Sequence, residues 1–257
     1  MRPYQEVETP LEQYEPAGAE LTTEASSAEG KLRVSEIFES LQGEGVNIGM
    51  ASTFLRLALC NLRCTWCDTK YTWDWQNYKF EDEVQFMSPQ EIVDLLRAKQ
   101  SKNIVVTGGE PLLQQRQLEA ILRNLEADHT FEVETAGTIA PVDGLVDLVA
   151  LWNVSPKLAN SGNSLQSRHR DGALAAFAQL ENAFFKFVIE SENDIQEVLS
   201  LVDEFHIANH RVLLMPEATD AQQLDNKSEW LTRLCIQYQF RLGYRLHVAL
   251  WGNRRGV

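Results

Sequence analysis

Nowhere in these 257 residues does an apolar run approach the roughly 18 positions that a membrane-spanning helix needs, and the first residues lack the basic and apolar regions of a secretory signal. Both absences argue for a cytoplasmic protein without a membrane partner. Basic residues are scarce too: 23 Lys and Arg stand against 37 Asp and Glu, a formal net charge of −14. That balance offers no concentrated basic stripe for nucleic acid. Part of the acidity is local, because residues 1–30 hold seven Glu against a single Arg, set among Pro, Ala, Ser and Thr. Such a composition reads as a flexible acidic arm. With 44% hydrophobic content the chain can bury one sizeable core, so a single domain over 31–257 is expected.

Cysteine is limited to four residues, and three of them stand together as Cys60, Cys64 and Cys67. A C-x3-C-x2-C run gives an iron-sulfur cluster three soft thiolates and withholds a fourth. On a four-iron, four-sulfur cube, one iron then keeps an open site for a substrate or cofactor. A closed structural zinc site needs four ligands, with a second Cys or His pair further along. Such a pair is missing, since Cys235 falls in an expected helix and the first histidine, His129, is distant. Zinc held by such remote residues is the competing reading. A disulfide would leave one thiol of the odd cluster unpaired.

The rest alternates strands and helices. Strands are expected at 32–39, 53–59, 103–107, 130–135, 146–154, 184–189 and 211–215. Helices are expected at 88–99, opened by the capping box Ser88-Pro89-Gln90-Glu91, and at 114–127, 171–180 and 192–205. The cysteine loop begins where the second strand ends, the place where α/β folds hold their chemistry. The units are too few for a closed eight-stranded barrel, so the expected fold is α/β, a partial, open β/α barrel with parallel strands. Residues 71–86 are aromatic and acidic without a clean period, an excursion of undetermined structure.

Several further motifs end strands: Gly108-Gly109-Glu110-Pro111, Glu134-Thr135-Ala136-Gly137-Thr138 and Ser155-Pro156-Lys157. Each alone reads as ordinary turn chemistry, and Trp66, just before the third cysteine, reads alone as core. Taken with the cysteine run they resemble the radical S-adenosylmethionine (SAM) superfamily. That resemblance implies a 4Fe-4S cluster on Cys60, Cys64 and Cys67, and SAM chelated at the open iron. It places Trp66 near the adenine, Gly108, Gly109 and Glu110 around the amino group, and Ser155 and Lys157 at the ribose and carboxylate.

Four more features narrow the resemblance. Gln42-Gly43-Glu44-Gly45, Arg56, Cys67-Asp68-Thr69, and His247 followed by Trp251-Gly252-Asn253-Arg254-Arg255-Gly256 are similar, in the same order over 34–257, to the 7-carboxy-7-deazaguanine synthase family. That family turns 6-carboxy-5,6,7,8-tetrahydropterin into 7-carboxy-7-deazaguanine with loss of ammonia, on the route to queuosine and related deazapurines. A radical generated from SAM removes hydrogen from C6, and the ring then contracts with Mg2+ assisting.

The resemblance implies a substrate site of Gln42, Glu44, Arg56, Thr107, Gly109, His247 and the terminal carboxylate of Val257. Gln42 and Glu44 suit the donor and acceptor edge of a pterin, and a guanidinium suits its carboxylate. Mg2+ falls to Thr69, with Asp68 coordinating directly or through water. A flavodoxin or ferredoxin as electron donor and a homodimer follow from the same resemblance. At Ala136, where relatives often carry a polar residue, only backbone contact is left. Each residue also has a plainer reading: Glu44 as a solvated loop residue, Arg56 as a paired strand charge, Asp68 and Thr69 as helix caps, His247 as a half-buried strand histidine. A glycyl-radical activase would share the cysteine loop, but it needs a protein-docking face rather than a pterin pocket.

Overall fold

In the computed structural model of this protein, residues 30–257 are described. The expected acidic arm, apart from Gly30, lies outside the described residues. The sheet has nine strands: β1 (Leu32–Leu41), β2 (Ala51–Leu57), β3 (Gln85–Met87), β4 (Asn103–Gly108), β5 (Thr130–Thr135), β6 (Leu151–Val154), β7 (Ala183–Ile189), β8 (Val212–Pro216) and β9 (Arg241–Leu242). Their spatial order is β3-β1-β2-β4-β5-β6-β7-β8-β9. From β2 to β9 every pairing is parallel, and the neighbours follow chain order. Stepping always in one direction curls a sheet into a barrel wall. With β3 and β9 left at opposite edges, the wall stays open.

The side chains of these strands alternate with a period of two. One face is apolar: Leu55, Leu57, Ile104, Val106, Phe131, Val133, Trp152, Val154, Phe185 and Phe187 are buried in the main core. Against it pack helices Pro89–Arg97, through Ile92, Val93 and Leu96, and Gln115–Leu125, through Leu118, Ile121, Leu122 and Leu125. Burying each such large side chain contributes about 1.5–3 kcal/mol. On the other face the same strands carry Arg56, Thr107, Glu132, Glu134, Asn153 and Lys186. The concave side of the open barrel is therefore polar, and the fold holds that side in place by burying the opposite one.

Four sequence expectations change. β1 runs antiparallel to β2, with Glu36 opposite Arg56, because the short connection 42–50 permits a hairpin and no parallel crossover. The expected strand 146–154 shortens to Leu151–Val154; Leu145 and Val149 are buried at a spacing of four, from a turn of helix at Asp143–Val146. The excursion 71–86 forms part of the 3-10 turn Lys70–Thr72, the helical turn Phe80–Glu83 and most of β3, which pairs antiparallel with β1. His247 sits on the helix Leu246–Trp251 rather than on a strand. No helix among the described residues is long and apolar enough to cross a membrane.

Candidate active site

β2 ends at Leu57, three residues before Cys60, and the intervening chain is tightly pinned. Leu59 takes a left-handed backbone with φ of 76°. Its N–H donates to Thr72 O at 2.7 Å and its carbonyl accepts from Glu110 N at 2.8 Å. Such a conformation costs on the order of 1 kcal/mol for a non-glycine residue and persists only where neighbours impose it. At Gly109 a Cβ would stand 2.1 Å from Leu59 O and 2.8 Å from Cys60 Cβ, so only glycine lets β4 approach the cysteine loop this closely.

Each sulfur of the loop meets one N–H: Leu62 N to Cys60 Sγ at 3.4 Å, Asn163 Nδ2 to Cys64 Sγ at 3.3 Å, and Trp73 Nε1 to Cys67 Sγ at 3.3 Å. Leu62, Cys64 and Ala136 form a small buried apolar cluster, with Cys60, Trp66 and Cys67 packed against it. Burial pushes the Cys60 thiol up to about 12 and also raises Cys64. Among the described residues, the one group of three His, Cys, Asp or Glu ligand atoms within 4.8 Å of one another is His169, Asp171 and Glu204. The three loop sulfurs therefore do not all lie within 4.8 Å of one another, whereas tetrahedral zinc would hold thiolates bound at 2.3 Å roughly 3.8 Å apart. N–H donors to sulfur and an apolar cluster packed against the loop fit an iron-sulfur cube. Cys235 is buried in helix Ala221–Tyr238, in the main core rather than in the cluster around the loop, and burial raises it to about 11.

One cavity collects nearly every candidate. Cys60, Cys64, Cys67, Trp66, Asp68, Thr69, Gly108, Gly109, Ser155 and Lys157 line it together with Gln42, Glu44, Arg56, Thr107, His247 and Val257. Lys157 Nζ bonds Ser155 Oγ at 2.8 Å and lies 5.6 Å from the Trp66 ring centroid, and Trp66 Nε1 donates to Asn160 Oδ1 at 3.3 Å. Glu110 is the exception. It is fully buried away from the cavity, accepting from Thr135 Oγ1 at 2.9 Å, Ala136 N at 2.8 Å and Leu112 N at 3.1 Å. Burial raises its carboxyl. Its position is that of a strut between the ends of β4 and β5, and it takes the Ala136 N–H that was expected to face a ligand.

The pterin-side residues are held more firmly than a loop composition suggests. Gln42 Nε2 donates to Glu134 Oε1 at 3.2 Å while its Oε1 accepts from Glu44 N at 3.2 Å. Thr107 Oγ1 donates to Glu134 Oε2 at 2.8 Å. The Glu44 carboxylate is gripped on both oxygens, by Lys186 Nζ and by Arg245 Nε at 2.9 Å. Burial alone would raise its carboxyl, but Lys186 and Arg245 override this and hold it well below the usual carboxylate range. Arg245 also bonds Asp68 Oδ2. Arg56 Nε bonds Glu36 Oε2 at 2.9 Å, the strand-paired charge of the plainer reading, yet the side chain also faces the cavity.

His247 is brought in from the C-terminal helix, whose Leu246 N–H donates to Gly43 O at 2.8 Å. A Cβ at Gly43 would fall 2.2 Å from His247 Nδ1, so any larger residue there would displace the His247 ring. Burial lowers His247, favouring the neutral ring. Sequence reasoning missed Lys186, Arg245, Glu132 and Asn153. The signal for Lys186 was present as a lone cation inside the apolar strand β7, AFFKFVI.

A model of the radical SAM superfamily matches residues 57–222. The 7-carboxy-7-deazaguanine synthase of Pyrobaculum aerophilum is 38% identical over 231 residues, covering 90% of this chain and 99% of that one. The enzyme of the same name from Rhodopirellula baltica is 33% identical over 251 residues, covering 93% and 94%. Among solved structures, QueE from Escherichia coli superposes with a TM-score of 0.67 at 24% identity, covering 89% of this chain and 100% of that one, and so shares the fold. The chain belongs to the radical SAM superfamily and, within it, to the family of 7-carboxy-7-deazaguanine synthases.

Proposed function

We propose that residues 31–257 form the catalytic domain in which 6-carboxy-5,6,7,8-tetrahydropterin undergoes SAM-dependent radical ring contraction to 7-carboxy-7-deazaguanine, with release of ammonia. The observation that carries the assignment of roles is that one cavity is lined both by Cys60, Cys64 and Cys67 and by Gln42, Glu44 and Arg56. When bound, the cluster and SAM supply the electron and the hydrogen-abstracting power, and Mg2+ supplies charge stabilisation. The protein binds, orients and excludes water.

An ionised carboxylate has about four lone-pair positions. Lys186 and Arg245 engage two, which leaves Glu44 able to accept N–H groups from the aminopyrimidine edge of a pterin. Gln42 is oriented beside it by Glu134. With Nε on Glu36, Arg56 keeps its terminal nitrogens, which have no acceptor among the described residues, for a carboxylate. Mg2+ would be held by the Thr69 hydroxyl; Asp68 already has Oδ2 on Arg245, so Oδ1 is the oxygen that would reach the ion or its water. Ser155, Lys157 and Trp66 would hold SAM. Family likeness supports a flavodoxin or ferredoxin as electron donor, a homodimer and a cytoplasmic location.

The experiment is a titration of 6-carboxytetrahydropterin into SAM-loaded parent and Arg56→Ala proteins without oxygen. Losing a charge-assisted hydrogen bond should weaken binding by about 1.5–3 kcal/mol, roughly tenfold or more, with SAM affinity little changed. Absence of binding to the parent, or equal binding to both, would remove Arg56 and the pocket from the assignment.

A further inference from the structure

The cofactor and substrate assignments draw on the aromatic, acidic stretch 71–86 only through Trp73, and on residues 252–257 only through Val257. Arg255 joins the two segments. Its guanidinium lies 3.9 Å from the Tyr71 ring centroid, its Nη1 bonds Glu83 Oε2 at 2.7 Å, and its Nε bonds Glu36 Oε1. Glu36, in turn, is the residue that grips Arg56. Its Oε2 accepts from both Arg56 Nε and Tyr71 OH, each at 2.9 Å. Two residues beyond Arg255, Val257 lines the cavity.

An arginine fork recognises a carboxylate only if its plane is fixed and its terminal nitrogens are free. Glu36 is both the anchor and the chief competitor for that fork, because a free carboxylate next to a guanidinium chelates it through two oxygens. Here the second oxygen is occupied by Arg255, and Tyr71 OH adds a further bond to the first. Arg255 is 43% exposed, so its ion pairs alone stabilise little; three simultaneous contacts, one of them a stacked ring, are what fix it.

We propose that Arg255 and Glu36 are positioning residues: Arg255, clasped by Tyr71 and Glu83, ties down Glu36 so that Glu36 orients Arg56 towards the substrate carboxylate without chelating it, while Val257 is held at the cavity. The inference rests on the pterin reading of the preceding subsection. It gives the 71–86 excursion a task, which is to supply the ring and one carboxylate that seat Arg255.

The test is steady-state turnover of 6-carboxytetrahydropterin, without oxygen, by reconstituted parent, Arg255→Ala, Arg255→Lys, Glu36→Gln and the Arg255→Ala/Glu36→Gln double variant. Arg255→Ala should raise the pterin KM about tenfold, the size of a weakened charge-assisted bond, with kcat and the SAM KM changed less than about twofold. Arg255→Lys should lie between, having the charge but not the planar fork. The double variant should be no worse than the worse single, because Glu36→Gln removes the competing carboxylate; independent lesions would multiply instead. Should Arg255→Ala lose iron, Glu83→Gln offers the same readout from outside the cavity. An unchanged pterin KM, multiplying effects, or a SAM KM that rises in step would overturn the clasp while leaving the enzyme's function standing. A parent that does not turn the pterin over would overturn both.

Discussion

Replacing Lys186 with Met removes the ammonium from Glu44 while keeping most of the side-chain volume. Lys186 and Glu44 are 8% and 14% exposed, and they lie 142 positions apart in sequence. Removing one partner of a buried ion pair typically costs about 3–5 kcal/mol. In this site Arg245 Nε still contacts Glu44 Oε1 at 2.9 Å, so the cost belongs at the lower end. A loss of about 3 kcal/mol in a chain of this size lowers Tm by roughly 6–12 °C. The pH dependence carries a second signature. Glu44 has a folded-state pKa below its ordinary value of 4.5, so its contribution is present above that value and is lost as pH falls towards the folded-state one. Without Lys186 the depression shrinks, and that part of the acid destabilisation should flatten. Thermal unfolding of the reconstituted protein, without oxygen, at pH 7 and across the acid range reads both. A Tm within about 1 °C of the parent together with an unchanged acid slope would refute the reasoning, since neither is compatible with a buried pair.

The cysteine assignment predicts about four irons per reconstituted chain, lost on Cys60→Ala, Cys64→Ala or Cys67→Ala and retained on Cys235→Ala. Iron and sulfide analysis decides it, and loss of iron in the Cys235 variant alone would reverse the assignment. Turnover should respond to Mg2+, and Thr69→Ala should slow turnover more than it weakens SAM binding. Full activity in excess chelator, with iron content verified, would remove Mg2+ from the mechanism.

The cysteine run and the strand-end motifs were legible because the chemistry of each is local: three ligands within eight residues, a glycine pair directly followed by Glu and Pro, and loops at the ends of strands. The partial barrel was legible for the same reason, since apolar strands and amphipathic helices alternate along the chain. What escaped was set by contacts distant in sequence. Arg245 lies 201 positions from the carboxylate it grips, and Lys186 reads along the chain as an oddity in a buried strand. Glu110 sat within the right motif, yet the fold turned it towards Thr135 and Ala136, where buried N–H and O–H groups needed an acceptor. β1 was read as one more parallel strand because periodicity reports the face of a strand, not its direction. The stretch 71–86 had no period because it folds as two short turns and a three-residue strand, from which Tyr71 and Glu83 meet the chain's far end at Arg255.

The central claim, that this cavity brings a carboxylated pterin to a three-cysteine cluster, is tested most directly by turnover. Reconstituted protein would be mixed without oxygen with 6-carboxy-5,6,7,8-tetrahydropterin, SAM, Mg2+ and a one-electron reductant, and the products weighed by mass spectrometry. The predicted result is 7-carboxy-7-deazaguanine with one ammonia released per pterin consumed, abolished in Cys60→Ala, Cys64→Ala and Cys67→Ala proteins. Reductive cleavage of SAM with the pterin mass unchanged, or a protein that binds zinc and shows no iron absorbance, would contradict it.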